Sequence, residues 1–338
     1  MGLAFHKHVH IPILAHSPRL SLYAVSNYDP THTTTLRNQF ARAMAIRFRE
    51  LRGVIRKAIV DEDCFALQKG SGGFAVQAGM TTPGRLAFDF PRSGDKISAF
   101  MSWLRKQENV FLESGGVSGI GRTVIPQLGA GIETAWTDQY IQSAYQKGIV
   151  RARQELIGAG YPVPSIEASG GIGAVFNTPM HLNRVGVLYT RTFNDLKGIT
   201  NAMDMQISRV LAQGMADGKN PVQLARLLTR TISGPVGDLG ITDTLGRFIP
   251  AERRAKVLAR TEIIRAHHSA TMQEYKNWEV EEVKVKAEWQ TAGDARVCEE
   301  CSALEGRVYS LEEIGNMIPL HPQCRCVALP VDITGKEE

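Results

Sequence analysis

The cysteines constrain this chain most, because four of its five lie in one short pattern near the C-terminus. Cys298 and Cys301 are separated by two residues, and Cys324 and Cys326 belong to a second group that begins at His321. A tight turn between two such thiols brings the second sulfur beside the first, so that both can bind one ion. A second close pair then completes a tetrahedron. The pattern therefore predicts a small C-terminal module held together by a metal ion.

Zinc is the metal that this donor set favours, since thiolates and imidazoles bind it tetrahedrally and it has no redox chemistry. Five donors compete for four positions. We take Cys298, Cys301 and Cys324 as three ligands and leave the fourth open between Cys326 and His321. Cys326 is preferred, because His321 precedes a proline and could hydrogen-bond a ligand instead. The competing interpretations are a reduced cluster without metal and a pair of disulfides that form late.

A structural role for the zinc is favoured over a catalytic one. A catalytic zinc keeps one position open for water, and it needs a base and a substrate pocket beside it. Glu299, Glu300 and Glu305 could supply a carboxylate, but nothing in the sequence distinguishes one of them. No arrangement of nucleophile and base is identifiable elsewhere. We therefore expect no enzymatic activity, no catalytic residues and no cofactor other than zinc.

At 338 residues, 43% hydrophobic and 22% charged, the chain has the composition of a soluble protein of about two domains. The sequence has no apolar run long enough to predict a membrane-spanning helix, and its N-terminus lacks the apolar core of a secretory signal. We therefore expect folding in a reducing cytoplasm, where clustered thiols favour metal over disulfides. Cys64 is remote from the cluster and is predicted to be a core residue.

Charge is distributed unevenly along the chain. Residues 1–60 contain nine Lys and Arg against two acidic residues, whereas residues 270–338 contain seven basic and fourteen acidic side chains. The two ends are therefore expected to meet different partners. Arginines opposite the apolar stripe of a predicted helix over residues 36–60 could neutralise phosphates. The candidates for non-specific DNA contact are Arg42, Arg49, Arg52 and Arg56.

Apolar residues recur at helical spacing through most of the chain, so the predicted fold is mostly α with a small C-terminal α+β module that carries the Cys/His cluster. The predicted helices cover residues 36–60, 95–111, 134–157, 180–213, 222–232 and 251–278, and the fourth is expected to break near Gly198. Near residue 280 the period changes to alternation, which predicts a strand through Val283 and Trp289. Shorter strands are predicted at residues 307–309 and 327–329.

Glycine-rich and proline-rich stretches divide the chain into four predicted segments. They are a flexible arm at residues 1–35, a basic helical region with glycine-rich loops at 36–130, a helical body at 131–250 and the α+β module at 251–338. His6, His8 and His10 alternate within the arm and could share a face, but a flexible histidine-containing arm is the preferred interpretation.

Five short sequence motifs follow one another in the second half of the chain. They are ARTEIIRA at residues 259–266, KAEWQTA at 286–292, DARVCEEC at 294–301, LEGRVY at 304–309 and PLHPQCRC at 319–326. Together they resemble the phage Mu F-like head morphogenesis family, the minor head proteins of tailed phages. Residues 196–200 and 218–221 also look like that family, so the resemblance covers about residues 180–330.

The resemblance implies a structural role in phage assembly. Members are present in a few copies in the phage head, associate with the portal vertex and are implicated in packaging or delivering DNA. The resemblance implies the portal, the major capsid or a scaffolding protein as partners, the virion as the final location after assembly in the host cytoplasm, and no membrane contact. The family has no agreed catalytic residues to carry over. The alternative function is a zinc-dependent hydrolase or nuclease, or an effector in the N-terminal region.

Overall fold

The computed structural model describes residues 29–67, 87–88, 90–113, 135–234, 249–279 and 285–331. The helices of the body are α1 (Thr34–Arg56), α2 (Ser93–Glu113), α3 (Asp138–Gly158), α4 (Gly171–Phe176), α5 (Pro179–Ala216), α6 (Pro221–Ser233) and α7 (Ala251–Asn277). The C-terminal module contains β1 (Lys286–Gln290), α8 (Glu299–Ser302), β2 (Val308–Ser310), α9 (Leu311–Ile314) and β3 (Val327–Pro330). The predicted fold class is thereby confirmed.

Parts of the predicted organisation lie outside the described residues. They are most of the arm, including His6, His8 and His10, and the glycine-rich stretches at residues 70–84 and 114–131. None of the described helices combines the length and the apolar character needed to cross a bilayer.

Helix α1 begins where Asp29 accepts hydrogen bonds from the backbone N–H groups of Thr31 and Thr33, each at 3.2 Å. Its predicted apolar stripe is buried, and a π-helical turn at Lys57–Asp61 continues it. The stripe consists of Phe40, Met44, Phe48, Leu51, Ile55 and Ile59. Arg47 is buried as well, with its guanidinium carbon 3.6 Å from the ring centroid of Trp136. Part of the positive charge counted in the N-terminal segment is therefore internal.

One hydrophobic core extends from α1 to α7. Helix α7 contacts α1, α3, α5 and α6, and α3 packs tightly against it at Gly148. A Cβ atom built there would lie 2.4 Å from the carbonyl oxygen of His267 and 2.8 Å from the Cβ of Ala270. The segment boundaries predicted near residues 131 and 250 remain predictions, and this core includes residues on both sides of each.

The predicted break near Gly198 is wrong, because α5 runs without interruption from Pro179 to Ala216. Glycine weakens a helix interior by only about 1 kcal/mol relative to alanine. Buried residues on both sides of Gly198, including Leu196 and Met203, hold the same face of the helix against the core. Packing therefore outweighs the local propensity of one exposed glycine.

A buried polar network connects α3, α5 and α7. Arg153 of α3 lies 2.9 Å from the carboxylate of Glu274, and the Nε2 of His181 lies 2.8 Å from the other oxygen of that carboxylate. The hydroxyl of Tyr145 is 3.0 Å from the Nδ1 of His181. Burial alone would raise the pKa of Glu274, but His181 and Arg153 lower it below its ordinary value. The network therefore holds a compensated negative charge inside the helical body.

The module is a three-stranded antiparallel sheet in the order β2-β1-β3. Trp289 of β1 lies opposite Ala328 of β3 and is fully buried in a second hydrophobic core. Helix α7 contributes to both cores, since Ile264, Met272 and Tyr275 pack in the second one. The C-terminal half of α7 therefore forms the wall on which the module rests.

Candidate metal centre

The first cysteine pair lies at the beginning of α8. Cys298 has an extended backbone and serves as the N-cap, with its Sγ accepting the N–H of Cys301 at 3.4 Å. Glu299 and Glu300 occupy the first turn, where negative side chains favour a helix N-terminus. The single turn that follows brings the Cys301 sulfur to the same side as the Cys298 sulfur.

The second group lies in the turn before β3. The N–H of Cys324 donates to the carbonyl of His321 at 3.1 Å, and Gln323 between them has a φ of 63°. The N–H of Gln323 donates to the hydroxyl of Thr261 at 3.0 Å, which fixes the turn to α7. Cys326 leads directly into β3. The sheet and α7 together therefore position this group.

All five predicted ligands meet in one cluster. The Nε2 of His321 lies 3.2 Å from the sulfur of Cys298 and 3.2 Å from the sulfur of Cys301. The sulfur of Cys301 lies 4.0 Å from that of Cys324. The ligand atoms form two overlapping groups, Cys298 with Cys301 and His321, and Cys301 with Cys324 and Cys326, each within 4.8 Å. Cys301 belongs to both groups and therefore lies at the centre of the cluster.

These separations fit a tetrahedral ion. Two thiolates of one zinc lie about 3.8 Å apart, given Zn–S bonds of about 2.3 Å. No sulfur pair of the five cysteines forms a disulfide. Cys301, Cys324 and Cys326 are buried, and Cys298 and His321 are half-buried, so the site lies beneath the surface of the module. The described residues thus provide Cys/His groups that could hold a metal ion.

The surroundings favour the thiolate, the form in which cysteine binds metal, at Cys298 and Cys324. Burial raises the pKa of Cys301, and the hydrogen bond to Cys324 raises the pKa of Cys326. The backbone N–H of Cys301 lowers the pKa of Cys298, against the opposing effect of burial. The Cys326 thiol donates to the Cys324 sulfur and so lowers the pKa of Cys324 to about 5. The fourth position stays open between Cys326 and His321. His321 points its Nε2 at two sulfur atoms and its Nδ1 at the carbonyl oxygen of Pro322, so it is placed as a ligand as well as a hydrogen-bond partner.

The acidic residues considered for catalysis do not form a group with the cluster among the described residues. Glu299 and Glu300 are exposed on α8. Glu305 accepts the backbone N–H of Thr291 at 2.7 Å and so closes the loop after β1.

Sequence reasoning assigned no role to the pair formed by Asp294 and Arg325. The two terminal nitrogens of Arg325, Nη1 and Nη2, donate hydrogen bonds to the two carboxylate oxygens of Asp294, at 2.7 and 2.5 Å. Arg325 lies between two candidate ligands, and Asp294 precedes the first cysteine pair. The pair therefore joins the two halves of the metal centre. Its signal in the sequence is weak, because a single arginine between two cysteines does not reveal its partner.

The four DNA-contact candidates lie on α1, away from this cluster. Arg42, Arg49 and Arg56 are exposed and Arg52 is half-buried. Arg56 lies 3.8 Å from Asp61. Burial raises the pKa of Glu252, but hydrogen bonds from Lys256 and Ser233 and the charges of Lys256 and Arg52 lower it below its ordinary value. Arg52 therefore also has a carboxylate near it. Arg42 and Arg49 are therefore the two members of this set without a described carboxylate beside them.

The family model described as Phage Mu protein F like protein matches residues 205–329. Searches of curated proteins and of solved structures found no match. The matched range begins within α5, ends in β3 and includes every candidate metal ligand. The resemblance of the sequence motifs is thereby supported, because residues 205–329 are similar to the Phage Mu F-like family.

Proposed function

We propose that this protein is a minor head protein of a tailed phage and acts in head morphogenesis. The family match carries the proposal, since it covers the end of α5, α6, α7 and the module as far as Leu329 in one continuous range. The location that follows is the phage head, reached by assembly in the host cytoplasm. In this role the protein docks on the portal, the major capsid or a scaffolding protein.

The charge distribution supports two separate contact surfaces. The module region is acidic overall, whereas the exposed side of α1 carries arginines. A protein surface is the natural partner of the first, and packaged DNA is a natural partner of the second. The bound metal is proposed to be zinc, with a structural role.

Two observations support the structural role. The cluster offers five donor atoms for four positions, so protein ligands alone can saturate a zinc ion. The carboxylate of Glu305 that could have served as a base is bound to the backbone instead. When bound, zinc supplies a fixed tetrahedral junction between the α8 turn and the turn before β3.

The head-morphogenesis role is tested by capture from infected cells. The native protein carrying an affinity tag is purified during infection and its partners are identified, with an unrelated tagged protein as the control. We expect the portal or a shell protein in stoichiometric amount, and a lower yield of infectious particles when Cys324→Ser replaces the native chain. A zinc-dependent nuclease or hydrolase activity lost in Cys324→Ser would refute the structural proposal.

The DNA contact is tested by salt titration of binding to a random duplex. Arg42→Gln with Arg49→Gln is expected to lower the affinity and to reduce the salt slope by about 0.9 for each lost phosphate contact. The matched pair Arg52→Gln with Arg56→Gln should have a smaller effect, because those charges face Glu252 and Asp61. Equal affinity of the native protein and the first pair would remove these residues from DNA binding.

A further inference from the structure

A cleft of about 530 Å³ lies between the first turns of α1, the side of α7 and the turn that carries His321. Four arginines line it. Arg37 comes from α1, Arg260 from α7, and Arg296 and Arg325 from the module. None of them belongs to the DNA-contact candidates on α1. A cleft of this size falls within the range that holds small ligands.

The charges of the cleft do not cancel. Asp29 lies 2.5 Å from Arg37, and Asp294 binds both Arg296 and Arg325. Four guanidinium groups and two carboxylates leave a net charge of +2. The proximity of the positive charges also affects the pKa of Arg37. Burial lowers the pKa of Arg37, and the charges of Arg325 and Arg260 lower it further, against the effect of Asp29.

Two of the guanidinium groups have unused donors. Arg260 donates to the amide oxygen of Gln323 at 3.1 Å and has no carboxylate partner among the described residues. Arg37 is 8% exposed, and its Nε has no hydrogen-bond partner within the part of the chain that is described. A buried donor without an acceptor costs about 1–3 kcal/mol. This cost applies to the buried Arg37, whereas Arg260 is half-buried; an anion in the cleft would supply an acceptor to both side chains.

We propose that this cleft binds a phosphate group. Its tetrahedral oxygens accept hydrogen bonds from several guanidinium groups at once, and forked arginine contacts to phosphate are among the strongest in proteins. Asp29 and Asp294 hold Arg37 and Arg325 in place before the ligand arrives, which reduces the entropy lost on binding. The phosphate can belong to a small molecule or to the end of a DNA strand, since both present the same group.

The test uses the full-length, zinc-loaded protein and inorganic phosphate in a calorimetric titration at low salt. We expect saturable binding that Arg260→Gln weakens by about tenfold or more. Arg260 is the chosen position because its replacement leaves all three ion pairs of the cleft intact. Arg296→Gln is the second variant, and Arg209→Gln, which replaces an exposed arginine of α5 that does not line the cleft, is the matched control that should bind as the native protein does. Thermal denaturation verifies that each variant is folded.

Absence of binding at about 10 mM phosphate would overturn the proposal, as would equal affinity in the native protein and both cleft variants. Competition then identifies the source of the phosphate. A 5′-phosphorylated duplex that displaces phosphate better than its 5′-hydroxyl counterpart, and loses this advantage in Arg260→Gln, identifies a DNA end. If phosphate binds and neither duplex displaces it, the ligand is a small molecule. These measurements do not depend on the role in phage heads.

Discussion

Glu108 of α2 and Asp204 of α5 place two carboxyl groups against each other inside the helical body. Both residues are buried, and Arg105 reaches Asp204 at 3.4 Å from a largely exposed position. Burial, together with the hydrogen bond and negative charge of Asp204, raises the pKa of Glu108 far above 4.5. The neutral Glu108 therefore donates its proton to Asp204, and the pair shares one negative charge.

This pair makes stability depend on pH. Glu108 keeps its proton in the folded protein, whereas in the unfolded chain it releases the proton above its ordinary pKa of 4.5. The contribution of this pair to the free energy of unfolding is therefore complete below pH 4.5 and is lost as the pH rises toward the raised pKa of the folded state. In Glu108→Gln, the side-chain amide can still donate a hydrogen bond to Asp204, but it cannot ionise. We expect it to raise the free energy of unfolding by about 1 kcal/mol near pH 8. Thermal melting across the pH range measures the effect.

The control for this experiment is Glu167→Gln, because Glu167 is exposed. Its melting curve should follow that of the native protein at every pH. If Glu108→Gln also follows the native curve at every pH, Glu108 does not hold a proton in the folded state.

At the scale of whole elements, the packing between helices determines whether replacing a glycine by alanine stabilises or destabilises the protein. Gly148→Ala is expected to destabilise the protein by about 1–3 kcal/mol, because its Cβ would overlap the backbone of α7 at His267. Gly198→Ala in α5 is the matched control, since no atom lies within 4 Å of its Cβ. It should stabilise the protein by about 0.5–1 kcal/mol. Urea denaturation measures both, and equal effects would contradict the close contact of α3 with α7.

The elements were predictable to different degrees. The predicted helix over residues 222–232 corresponds to α6, where the Asn220 side chain accepts the N–H of Gln223 and Pro221 occupies the first helical position, both of which are local signals. The stripe of α1 and the extent of α7 were equally visible, since apolar spacing is a local property. The continuity of α5 past Gly198 was not visible. It depends on the core that the helix packs against, which no local window contains.

The module and the body form a molecule with two cores that share α7. Ile263 packs in the first core, and Ile264, one residue further on, packs in the second. If zinc joins the two turns of the module, its removal should release the module and leave α7 supported by the body. The metal centre is therefore expected to control the stability of one part of the molecule.

This expectation is tested on reduced protein by metal analysis and hydrogen exchange. About one zinc ion per chain is expected. Chelation should accelerate exchange in residues 286–330 and leave α3 and α5 protected. Cys301→Ser should have the same effect, since its sulfur is shared by both groups of donors. Cys64→Ala, which removes the cysteine buried in the first core, is the control that should retain zinc. Reduced protein without zinc after metal loading would eliminate the structural metal.

The sequence by itself determined the helical class of the protein, the course of its amphipathic helices and the group of cysteines and histidine at a metal-ligand spacing. These features are local, because helix periodicity and chelating turns involve residues only a few positions apart. Tertiary structure alone decided that α5 is continuous, that Arg47 is buried against Trp136, and that the cleft gathers arginines from α1, α7 and the module. Those contacts join residues far apart in the chain, so their partners are fixed only when the helices pack.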